Sequence, residues 1–128
     1  MRTDSAQDWQ ILVERSHAVL ATRAQVASSM RDRMIGLLGH HTLAEGEGLI
    51  LTACCSIHTW FMRFAIDAVF VDHRWAVVAL WKALPPWRMT SWVRQAQAVI
   101  ELPAGMANKA QLLVGDQLIL LAKAAKIA

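Results

Sequence analysis

Between Cys54 and Asp67 the sequence reads CCSIHTWFMRFAID, which brings a thiol pair, an imidazole, an indole, a thioether and a carboxylate into one short segment. These groups permit three kinds of chemistry. Imidazole, thioether and thiolate are ligands that a soft monovalent ion such as Cu(I) accepts, which makes His58, Met62 and Cys54 or Cys55 a candidate metal set. The indole of Trp60 could hold a neighbouring cation against its face. Zinc is a poorer fit, because the chain has no Cys-x-x-Cys pair and no His-x-x-x-His spacing. A hydrolase-like reading would use His58 with Asp67 or Glu101 as acid and base, or either cysteine as nucleophile. Such an assembly is defined by geometry rather than by closeness in sequence. The third possibility is a ligand pocket lined by His58, Trp60, Met62, Asp67 and Glu101, with Trp87 at its rim.

A structural reading stands beside all three. If residues 57–64 are extended, side chains alternate between faces. His58, Trp60, Met62 and Phe64 then share one face, and Ile57, Thr59, Phe61 and Arg63 share the other. A Trp-Met-Phe face is the usual composition of a core, where methionine fills irregular gaps. Asp67 lies between Ile66 and the apolar run AVFV, and Glu101 lies inside IELPAG. Burying either carboxylate is costly unless it is partnered, so each is either a backbone clamp or a pocket group. Asp116 in VGDQ reads as a turn residue, with Gly115 supplying a positive φ.

The elements that must position these residues are short. WQILVER, AVLATRAQVA, LILTA, IHTWFMRF, DAVFVD, WAVVALWKAL, QAVIEL and LILLA read as extended segments, rich in β-branched and apolar residues and separated by turn signals. A helix is expected from Ser29, a capping residue, to Gly39, a left-handed stop, with Met30, Met34, Leu37 and Leu38 on one face. A second short helix is expected over Met106 to Leu112. Pro85 and Pro86 end ladder pairing and predict an irregular excursion to about Ser91. Trp75, Trp81, Trp87 and Trp92 crowd this region. They either plug one end of a barrel or, beside Arg88 and Arg94, form an interface.

The 128 residues, 55% of them hydrophobic, suffice for one domain spanning 1–128 and a real core. No apolar run is long enough to cross a bilayer, and the polar start MRTDSAQDWQ lacks a signal core, so a cytoplasmic location is expected. The net charge of +3 is modest and scattered, which argues against nucleic acid as a partner. The two adjacent cysteines are expected as thiols, since a bridge between neighbours is strained.

The string SIHTWFMRFAIDAVFVD resembles the core signature of a bacterial and archaeal family, domain of unknown function 192. RMIGLLG, EGEGLIL, AVIELPAGMANK and VGDQL resemble further segments of that family in the expected order, over about residues 23–121. The resemblance implies a β-rich domain with a flanking helix, often following a secretion signal, and brings no activity with it. The missing signal and the paired cysteines depart from the family pattern.

These readings converge on an α+β fold: a compact, mostly antiparallel sheet or barrel of about seven short strands with one or two short helices. The expected role is a non-enzymatic binding or accessory domain with no cofactor. Its partner would be a small molecule or a protein, met through the Trp-rich loop 84–92. The hydrolase-like and Cu(I) readings stand as alternatives.

Overall fold

The structure, a computed structural model, describes residues 7–27, 43–60 and 62–123. The helix expected from Ser29 to Gly39 lies outside them. Seven strands are described: β1 (Trp9–Val13), β2 (Val19–Ala27), β3 (Glu47–Thr52), β4 (Ile66–Val71), β5 (Val77–Leu84), β6 (Ala98–Pro103) and β7 (Leu118–Ala122). They form one sheet in the order β5-β4-β6-β3-β2-β1-β7. The β2–β3 pair is parallel and every other pair is antiparallel. The sheet curls until its edges approach at one end, where Ala76 bridges Gln117 and the Leu118 amide bonds the Trp75 carbonyl. The result is a half-barrel. The single helix among the described residues, α1 (Met106–Lys109), is shorter than the expected Met106–Leu112. The architecture is therefore predominantly β, and the α+β expectation fits it only loosely. None of the described helices is long and apolar enough to cross a membrane.

The central strands explain their own sequences. IDAVFV in β4 is buried at every position and AVIEL in β6 is buried throughout. Neither shows the apolar–polar alternation of a half-exposed strand, because both faces of this part of the sheet are covered. On the inner face, Val69, Val71, Ile100 and Leu102 pack with Ile11, Val13, Leu20, Leu112 and Leu118. On the outer face, Ala68, Phe70, Val99 and Leu51 pack with Ile57, Met62, Leu84 and Val93. Phe70 and Trp81 meet there at 5.2 Å between ring centroids.

The outer cover is not a strand layer. Residues 53–60 and 62–65 run back along the outer face from the end of β3, and residues 85–97 run beside them in the opposite direction. The two segments are tied by amide bonds from Val93 to the Cys55 carbonyl, Thr90 to Ile57 and Thr59 to Arg88, at 2.8–2.9 Å. His58 and Met89 form an isolated antiparallel bridge. We call this pair of segments the strap. The double proline does end β5 and open the expected excursion. The strand expected over IHTWFMRF, however, is only this bridge. The Met62 amide bonds back to the Thr59 carbonyl at 3.2 Å, so the chain turns at that point. That turn ends the alternation and sends Met62 into the outer core with Ile57, off the face that it was expected to share with His58 and Trp60.

Two glycines carry backbone demands. Gly46 has φ +89°, and a Cβ there would stand 2.7 Å from Thr22 Oγ1. The Gly46 carbonyl accepts the amides of both Thr22 and Arg23, so EGEGLIL starts β3 against β2. Gly105, at φ +95°, turns the chain from β6 into α1.

Candidate functional site

The strap is organised by Thr59, which is fully buried. Its hydroxyl donates to the Pro85 carbonyl at 2.7 Å and accepts the Arg88 amide at 2.9 Å. Its own amide donates to the Arg88 carbonyl at 2.8 Å, and its carbonyl accepts the Trp87 amide at 3.0 Å. Thr90 does similar work nearby: its hydroxyl accepts the Ile57 amide at 3.0 Å. A proline-rich excursion is short of amide donors, and a hydroxyl can donate and accept at once. Neither threonine attracts notice in the sequence. The available signal was a threonine in an apolar segment, followed at a distance by two prolines whose carbonyls still need donors.

This scaffold turns a row of apolar groups outward. Trp60 is 43% exposed, Trp87 57%, Met89 60% and Trp92 72%. The half-buried His58 ring lies 4.7 Å from the Trp60 ring, with 31° between their planes. Trp87 sits in a left-handed conformation, φ 63°, with its amide fixed on Thr59. The tryptophans around the prolines thus divide: Trp75 and Trp81 pack against the two cores, whereas Trp87 and Trp92 are exposed. Trp60, Trp87, Met89 and Trp92 are the large exposed apolar side chains of the strap, and His58 lies against the first of them; we call this set the ledge.

Asp67 is placed elsewhere. Its side chain points to the inner face and has no exposed surface. Oδ1 accepts the Ala83 amide at 2.8 Å, and Oδ2 accepts the Ala107 amide at 2.8 Å. Both partners explain themselves locally. Ala83 is a bulge residue in β5 with φ 52°, whose amide is turned out of the ladder. Ala107 is in the first turn of α1, whose N-cap Gly105 offers no side chain. One carboxylate therefore ties the edge strand and the helix to the central strand.

Glu101 is also fully buried, but strand alternation sets it with Val99 on the outer face, next to Leu49 and Ala68. The two carboxylates that could have formed an acid–base pair thus lie on opposite faces of the sheet. His58 and Trp60 come together, Met62 enters the outer core, and Trp87 lies across the strap on the ledge. Cys54 and Cys55 are half-buried thiols, donating to the Ser56 and Ala96 carbonyls at 3.0 and 3.2 Å. Among the described residues, no three of His, Cys, Asp and Glu gather closely enough to hold a metal ion.

Asp116 is more than a turn residue. Gly115 has the expected positive φ of +98°, but Asp116 also takes a two-pronged contact from Arg15 at 2.8 and 2.9 Å and accepts the Leu113 amide at 2.8 Å. The hydrogen bond from Arg15 chiefly holds its carboxyl below the usual range, against the opposing effect of burial. This contact fastens the β1–β2 turn to the segment before β7, where the half-barrel closes.

A strap over the outer face, a buried aspartate at the start of β4, a proline–alanine–glycine turn into α1 and a glycine–aspartate turn before β7 together recover, in space, the motifs that occur in order along the chain. The model of the family described as "Uncharacterized ACR", domain of unknown function 192, matches residues 11–120. The chain belongs to that family. A UPF0127 protein of Pyrococcus furiosus is 40% identical over 63 residues, covering 49% of this chain and 53% of the relative. Another, from Pyrococcus abyssi, is 37% identical over 62 residues, covering 48% and 52%. The chain thus spans about half the length of these curated relatives.

Two solved structures share the fold seen here. A protein of unknown function from Novosphingobium aromaticivorans aligns with TM-score 0.74 at 18% identity, over 89% of this chain and 84% of its own. A proposed transcription regulator from Sinorhizobium meliloti aligns with TM-score 0.76 at 15% identity, over 93% and 96%. At these identities the likeness is one of fold.

Proposed function

We propose that this chain is a non-catalytic binding module whose contact surface is the aromatic ledge of Trp60, Trp87, Met89 and Trp92. One observation carries the reading: large apolar side chains are held outward by a segment whose backbone is pinned from beneath by Thr59 and Thr90. Ordering apolar groups in water brings no stability to the fold. A contact surface gains from it, because less freedom is lost on binding. Tryptophan and methionine are also the residues enriched where proteins meet partners. Catalysis is less well supported. The oxygens of Asp67 are both occupied by amides beneath a sealed surface, and Glu101 lies across the sheet from it.

The test separates a ledge from a plug and needs no ligand. Trp60→Ser, Trp87→Ser and Trp92→Ser should each shift the chemical-denaturation free energy by no more than about 0.5 kcal/mol, as for exposed substitutions generally. Losses of about 3–5 kcal/mol, the cost of deleting a core aromatic, would make these residues part of the core and end the proposal.

A further inference from the structure

The partner of the ledge is indicated by the charges around it. Arg63, Arg88 and Arg94 are all exposed on the strap that carries the tryptophans. From residue 49 to 101 the acidic residues are Asp67, Asp72 and Glu101. Asp67 and Glu101 are fully buried, and Asp72 is half-buried with Oδ1 taken by the amides of Arg74 and Ala76. The other described carboxylates outside the core, Asp8, Glu14, Glu45 and Glu47, belong to the β1–β3 part of the chain, and Glu45 is paired there with Lys109. The strap therefore combines exposed indoles, an exposed thioether and three guanidinium groups, with no exposed carboxylate of its own.

Resting on the ledge reading above, we infer that the strap docks on an anionic lipid surface. Indole rings settle at the level of lipid headgroups, apolar body inward and N–H outward. Met89 reaches the same depth as an apolar chain that neither stacks on bases nor offers a strong hydrogen bond. The arginines then meet lipid phosphates. This is the composition of a protein that lies on a membrane rather than spanning one. A single strand of nucleic acid would also meet arginine and indole, but His58 already packs against the Trp60 ring, and Met89 would have no role. Docking through so few groups is reversible.

The full chain should be titrated with vesicles of phosphatidylcholine containing phosphatidylglycerol, with vesicles of phosphatidylcholine alone, and with a single-stranded oligonucleotide. Partitioning is read by flotation and by the tryptophan emission maximum. The anionic vesicles should bind the protein and shift its emission to shorter wavelength; the neutral ones should not. High salt should weaken binding, and inorganic phosphate at equal ionic strength should compete no better than chloride. Since each basic group near an anionic surface is worth about fivefold in partitioning, Arg63→Gln, Arg88→Gln and Arg94→Gln combined should weaken binding by on the order of a hundredfold. These changes are confined to exposed side chains, so they report even if a Trp→Ser variant fails to fold. Absent partitioning, partitioning unchanged in the arginine variant, or preference for the oligonucleotide would each overturn the lipid assignment. The ledge itself fails on different evidence, a core-sized stability loss in the Trp→Ser variants.

Discussion

The two faces of the central sheet are covered by different means. The inner face is covered by the curl of the sheet itself, with β1, β2 and β7 supplying Ile11, Val13, Leu20 and Leu118. The outer face is covered by two irregular segments supplying Ile57, Met62 and Val93. On each face a buried polar side chain completes hydrogen bonds that the backbone leaves open, and the choice of side chain follows from what is missing. At Ala83 and Ala107 two amides lack acceptors, and Asp67 supplies two oxygens. At Pro85 and Arg88 a carbonyl needs a donor while an amide needs an acceptor, and the Thr59 hydroxyl supplies both. Strand layers satisfy their backbone by pairing. An irregular layer depends on single side chains for the same purpose.

Substitutions at the two anchors give the strongest test of this contrast. Asp67→Ala should cost most, about 3–5 kcal/mol, because it takes the acceptor from the amides of Ala83 and Ala107 at once and leaves a cavity beneath the sheet. A denaturation midpoint equal to that of the parent would remove Asp67 as the inner anchor. Thr59→Val keeps the shape and removes the hydroxyl; a loss of about 1–3 kcal/mol is expected. Thr59→Ser should recover most of it, and failure of that rescue would shift the weight to the methyl group.

Asp116→Asn should destabilise less than Asp67→Ala, because Asp116 works with a half-exposed Arg15 where the half-barrel closes. Its acid dependence has a definite sign. The carboxyl is held below its ordinary value when folded, so its contribution is complete above the ordinary carboxylate range. It is lost as pH falls through the depressed value. The Asn variant should therefore lose part of the acid-side slope of stability, and an unchanged slope would count against the contact. Smallest of all, Cys54→Ser with Cys55→Ser should cost about 1 kcal/mol or less, because hydroxyls can make the same short contacts to the Ser56 and Ala96 carbonyls. Unfolding of that double variant would show the thiols to be essential packing.

Much of the regular half of the molecule is legible in the sequence. Apolar runs bounded by turn residues mark all seven strands, and VGDQ and PAG mark the turns where Gly115 and Gly105 adopt positive φ. The strap was harder to read. IHTWFMRF alternates like a strand, yet its pairing partner lies beyond a double proline and ends after a single bridge. Periodicity records which residues are apolar; it does not record that a threonine hydroxyl completes the hydrogen bonds of a distant loop. The same blindness affected the site. Residue type grouped Asp67 with Glu101, and only the register of β4 against β6 assigns them to opposite faces. Arg15 and Asp116, far apart in the chain, meet because the curl of the sheet brings β1 and β7 together.

The central claim is that Thr59 holds the strap as an ordered layer that presents the ledge. Amide hydrogen exchange, compared between the parent chain and Thr59→Val, tests it most directly. The amides of Thr59, Trp87, Arg88 and Thr90 should be protected in the parent and lose protection together in the variant, while β4 and β6 keep theirs. Free exchange of those four amides in the parent, or protection that survives the loss of the hydroxyl, would contradict the account.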